Sequence, residues 1–170
     1  MKEISYKELS LNPMTMIDSG WWLITAGNET DGCNTMTASW GHLGSVWGHD
    51  KDSATAVVYI RPQRYTKQFV DREDYFTLSV MGDKYKKQLA YLGERSGKDE
   101  DKLANVGMKP WFVDGTAAIE DAEIVFVCKK LYCAPITEDC FVEKELVDKI
   151  YPDRDFHYMY VGRIEKVYIK

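Results

Sequence analysis

Short β-prone runs, each closed by a strong turn signal, constrain this chain more than any other feature. Residues 21–26, WWLITA, are aromatic and β-branched and run into GNETDG, a cluster of turn formers. Residues 34–40, NTMTASW, follow as a second run, so the two predict an antiparallel hairpin. Ala54 to Ile60, ATAVVYI, is a third strand that Arg61-Pro62 stops, because proline has no N–H to give a ladder. Tyr75 to Met81 is a fourth. Residues 122–136, AEIVFVCKKLYCAPI, are long enough to bend or bulge near Lys129 and Lys130, and residues 156–169, FHYMYVGRIEKVYI, close the set. The helical signals between them are short. Thr66 is placed to cap a helix running through Phe69 and Val70. Tyr85, Leu89 and Leu92 recur at helical spacing, with Gly93 as a C′ residue. Ser96 or Asp99 caps a further turn, and another helix lies around Val142 to Ile150. No strand runs into GxGxxG and a helix, which excludes a Rossmann domain. The expected fold is mainly β: a six-stranded antiparallel barrel with a few short helices, one domain over residues 1–170.

Bulk properties narrow the function classes. The 170 residues, 45% hydrophobic and 29% charged, suit one globular core. A net charge of −5 argues against nucleic acid, whose phosphates demand a concentrated basic field. No apolar run approaches the roughly 20 residues of a membrane span, and MKEISYKELS has no signal-peptide core, so a cytoplasmic protein is expected. Cys33, Cys128, Cys133 and Cys140 form no CxxC pair and no metal-ligand spacing, so no metal site is expected. Reduced thiols are the simpler assignment, with a Cys128–Cys133 redox pair as the alternative.

Two stretches carry chemistry. Side chains alternate along a strand, so Thr35, Thr37 and Ser39 line one face of NTMTASW while Met36, Ala38 and Trp40 line the other. The second face reads as core. The first is either a solvated β surface or the polar edge of a site for a heteroaromatic ring, with Asn34 adding a donor and Trp40 and Trp47 flat walls. RPQRYT, Arg61 to Thr66, sets two arginines and a hydroxyl where a strand gives way to a helix. Free N–H groups and guanidinium forks there favour a phosphate. A solvated arginine pair beside an ordinary threonine cap satisfies the same residues.

Together, DGCNTMTASW, VVYIRPQRYT, DYFTLSV, YLGERSGKDEDKLANVGM and FHYMYVGRIEKV resemble, in order and separation, the flavin reductase-like FMN-binding split-barrel family, especially its flavoredoxin-type branch. The resemblance implies a Greek-key split barrel that binds FMN non-covalently in a homodimer with the flavin near the subunit interface. It implies an NAD(P)H-dependent flavin reductase, with NAD(P)H as a transient hydride donor, or else an electron carrier serving a redox protein partner. By the same resemblance, Asn34, Thr35, Met36, Thr37, Ala38, Ser39 and Trp40 touch the ring and ribityl chain. Arg64 and Thr66, with Arg61 and Tyr65 behind them, form the phosphate end. Ser79 and Val80 offer backbone N–H groups to the pyrimidine edge, and Ser96, Gly97 and Lys102 approach the cofactor from a loop. Lys102 is a candidate cation for the anionic reduced ring, or a solvated lysine in an acidic helix. His157 resembles the histidine beside the substrate face and is the candidate catalytic residue; a merely packed histidine is the other assignment. Many relatives place paired prolines before the third strand, where this chain reads GHDKDSATAVVYI. That difference leaves open whether Trp47 and His49 line the pocket.

Overall fold

The computed structural model describes residues 1–47 and 54–170. His49 lies outside the described residues. Ten strands are described: β1 Lys2–Ile4, β2 Trp22–Asn28, β3 Gly32–Ala38, β4 Gly41–Ser45, β5 Ala54–Ile60, β6 Tyr75–Val80, β7 Pro110–Val113, β8 Thr116–Ile119, β9 Ile124–Pro135 and β10 Tyr158–Ile169. Eight form one antiparallel sheet in the order β3-β2-β6-β9-β10-β5-β4, with β1 pairing β10, while β7 and β8 make a separate hairpin. Among the described residues β3 and β4 pair with no partner on their outer sides, so the curled sheet is split at those edges. The helices are α1 Pro13–Thr15, α2 Thr66–Arg72, α3 Lys86–Glu94, α4 Lys102–Asn105 and α5 Glu145–Ile150.

The mainly β architecture agrees with expectation, but six strands become ten. β4 reads GHLGS, with too little β-branched character to announce itself, and β1 is three residues long. The expected hairpin forms, with Ala26 opposite Asn34 and Trp22 opposite Ala38. The expected irregularity in β9 is present too: Val161 faces Tyr132 and Gly162 faces Lys130, so Leu131 is an extra, bulged residue.

One apolar cluster fills the inside of the curl, around Trp22, Met36, Val58, Phe76, Phe126 and Tyr160. A second lies on the outer face, where Leu23, Val125 and Val127 are covered by Leu89 and Leu92 of α3 and by Ala118 and Ile119 of β8. Three local expectations need correction. Trp40 is not core: β3 ends at Ala38, and Trp40 is 42% exposed. β4 begins just beyond it at Gly41, where a Cβ would meet the Trp22 ring at 2.2 Å. Gly93 does not end α3 but lies inside it, because a bare Cα lets the helix settle on Thr37 of β3. Thr66 is the first residue of α2 rather than its cap, and Asp101, not Ser96 or Asp99, caps α4 by accepting from the Ala104 N–H.

Candidate functional site

The structure brings Asn34, Arg64, Tyr65, Thr66, Ser96, Gly97 and Lys102 together around a cavity of about 290 Å³. Four separate segments meet there, and each is tied to another. The Asn34 amide donates to the Thr66 hydroxyl at 2.7 Å. That occupies the oxygen as an acceptor and leaves the hydroxyl proton free to donate. Gly97 lies so close to Asn34 that a Cβ would meet Oδ1 at 2.0 Å, so only glycine keeps this wall intact. Arg64 donates to the Gly93 carbonyl at 2.6 Å, and Lys102 Nζ to the Leu92 and Arg95 carbonyls at 2.9 and 3.1 Å. Both cations are therefore held by carbonyls at the C-terminal turn of α3, which no longer bond within the helix.

The electrostatics of this cavity favour an anion. Lys102 is 4% exposed, and burial followed by repulsion from Arg64 draws its pKa down to about 8, with Glu100 acting the other way. Burial also lowers Arg64, with Arg61 adding to the effect. Neither makes an ion pair with a described residue. A phosphate in the cavity would offset both costs while accepting from Thr66.

A second cavity, of about 600 Å³, is mostly apolar and is lined by Met14, Ile17, Ser39, Trp40, Leu43 and Tyr59 among others. β3 runs from Asn34 at the first cavity toward Ser39 and Trp40 at the second, roughly 17 Å along an extended chain. His157 stands just before β10, with its ring centroid 4.7 Å from that of Trp40 and Nδ1 2.9 Å from the Tyr151 hydroxyl. Burial, reinforced by Arg61, draws its pKa down to about 4, so it is neutral at ordinary pH.

Other expected residues are engaged elsewhere. Thr35 is buried and bonded to Thr25 and the Ile24 carbonyl, and Thr37 donates to the Leu89 carbonyl of α3 at 2.5 Å. Over those two positions the hydroxyls of β3 are thus bonded within the protein. Met36 and Ala38 face the interior cluster. Ser79 is fully buried, accepting from the Ile119 N–H at 3.2 Å, and Val80 packs inside the curl between β2 and β9. Neither lines the two cavities described above. Arg61 points away from the anion cavity: it pairs with Asp155 and donates to the Ile150 carbonyl at 3.0 Å. Lys102 lines the same cavity as Arg64 and Thr66. Trp47 is 62% exposed and packs edge-on against Tyr132. Cys128 is buried and Cys133 exposed, and both are free thiols.

Gln63, Glu94 and Arg95 complete the anion cavity, and all lie within motifs already singled out. Tyr151 carried no sequence signal, because its link to His157 depends on how the loop after α5 turns.

An antiparallel split barrel with an anion cavity and an apolar cavity at the two ends of one strand is the class that fold and site define. The sequence model described as "Flavin reductase like domain" matches residues 14–170, so the chain belongs to the flavin reductase-like family. Among solved structures it is similar to flavoredoxin of Desulfovibrio vulgaris (Miyazaki F), at 18% identity and TM-score 0.65, over 88% of this chain and 69% of that one. It is also similar to an FMN-binding domain of a flavin reductases-like enzyme from Shewanella baltica OS155, at 13% identity and TM-score 0.67, over 99% and 76%. The styrene monooxygenase flavin reductase of Pseudomonas putida S12 matches at 16% identity and TM-score 0.61, over 88% and 79%. A search of curated proteins found no match. No described helix is long and apolar enough to cross a membrane.

Proposed function

We propose that the whole chain is one FMN-binding domain and that it catalyses NAD(P)H-dependent flavin reduction. The observation that carries the FMN assignment is the pair of cations, buried Lys102 and half-buried Arg64, converging with Thr66 and Gly97 on one cavity. A ligand reaching both cavities must carry an anionic group at one end and a flat apolar group at the other, as FMN does. Arg64, Thr66, Ser96, Gly97 and Lys102 would hold the phosphate, Asn34 would brace Thr66, and Ser39, Trp40 and His157 would border the ring. Bound FMN supplies a ring that accepts a hydride. The apolar cavity opens beside exposed Trp40, so a nicotinamide has access without a dinucleotide motif of its own.

The test is anaerobic stopped-flow on protein reconstituted with FMN. NADH or NADPH should bleach the flavin band, and excess free flavin should then sustain turnover. Bleaching by dithionite but by neither nucleotide within minutes would replace the reductase with an electron carrier.

A further inference from the structure

The Tyr151–His157 pair lies outside the anion cavity and no motif announces it. Tyr151 is buried between Phe141 and Phe156, with the Arg61 guanidinium 5.2 Å over its ring. Its hydroxyl lies 2.9 Å from His157 Nδ1. A buried phenol needs an acceptor for its proton, and Nδ1 is the acceptor within reach. If Nδ1 carried the proton instead, the phenol proton would have no described acceptor. Nε2 bonds to no described residue.

We propose that Tyr151 is a positioning residue that holds His157 as the Nε2–H tautomer, making it a fixed, neutral hydrogen-bond donor beside Trp40 rather than a proton-transfer group. The groups around it agree. From β5 and the turn after it come Tyr59, Arg61 and Arg64, and from the segment before β10 comes Asp155. The two arginines oppose an imidazolium, and the one carboxylate among these groups is already paired with Arg61. The backbone is pinned as well, since the His157 carbonyl accepts from the Ile136 N–H at 2.8 Å. A neutral N–H beside Trp40, which itself lines the apolar cavity, recognises an acceptor oxygen or nitrogen on a flat ring, and it does so equally across the pH range where free histidine titrates. The tautomer is a property of this chain alone; its use on a flavin or a flavin-bound substrate rests on the function proposed above.

The experiment is ¹⁵N NMR of protein labelled at histidine, of which the chain has three. The wild type should show His157 with Nδ1 unprotonated and Nε2 protonated, with no titration from pH 5.5 to 8.5. Tyr151→Phe should mix the tautomers or raise the midpoint by about one pH unit or more, because the bond holding Nδ1 as an acceptor is gone. An Nδ1–H tautomer, or a wild-type midpoint between about 6 and 7, would overturn the proposal. An unchanged tautomer population and midpoint in folded Tyr151→Phe would overturn the positioning role, while the wild-type spectrum tests the tautomer itself even if that variant fails to fold. It is also independent of bleaching: a reductase that fails with NAD(P)H yet shows the Nε2–H signal loses its function assignment and keeps its tautomer.

Discussion

Lys102 shows how burial and a neighbouring cation together change the acidity of an ordinary residue. Its ammonium sits between two backbone carbonyls and beside Arg64, with its pKa drawn down to about 8. A bound phosphate stabilises the charged form and so raises that pKa. Affinity for FMN should therefore be full below about pH 8 and fall above it, by up to about tenfold per pH unit, until the pKa of the bound state is reached. The phosphate itself is fully charged by about pH 7, so the falling limb belongs to the lysine. Fluorescence titration from pH 7 to 10 should show that limb in the wild type and its loss in Lys102→Met. An affinity independent of pH in the wild type would remove the lysine from the site.

At the scale of elements, β9 and β10 show where packing leaves no slack. Gly162 faces the bulge around Leu131, and a Cβ there would meet the Phe76 ring at 2.7 Å and Cys128 Cβ at 2.9 Å. Gly162→Ala should cost about 1–3 kcal/mol in urea unfolding, with the FMN affinity of the folded protein unchanged. The long strands were legible in the residues because β-branched and aromatic runs end at Pro62, at Gly82 and in the GNETDG turn. The β7–β8 hairpin carried a signal that went unread: Asp114-Gly115, both with positive φ, form the two-residue turn that joins antiparallel strands. The phosphate-type cluster was legible because RPQRYT and SGKDEDK each hold several of its residues. The internal bonds of Thr35, Thr37, Ser79 and Arg61 were not legible for one reason. Each side chain has an internal partner contributed by a distant element, and no local pattern reveals it.

For the whole molecule, the exposed aromatic residues bear on assembly. Trp40 and Trp47 are 42% and 62% exposed, Tyr132 42% and Met14 75%, an uncommon loss of apolar burial for a lone barrel. A two-fold homodimer that covers Trp40 and Met14 would close the rim of the apolar cavity they line. Light scattering at micromolar concentration should give a mass near twice 19.6 kDa. A clean monomer with full flavin occupancy would place the site on one chain alone.

The central claim is that the Arg64–Thr66–Lys102 cavity takes the phosphate of FMN, and calorimetric titration of FMN and riboflavin against wild type and Arg64→Ala tests it most directly. FMN should bind the wild type at least about tenfold more tightly than riboflavin. Arg64→Ala should weaken FMN by about 1.5–3 kcal/mol while leaving riboflavin nearly unchanged. Equal binding of riboflavin and FMN by the wild type would contradict the claim.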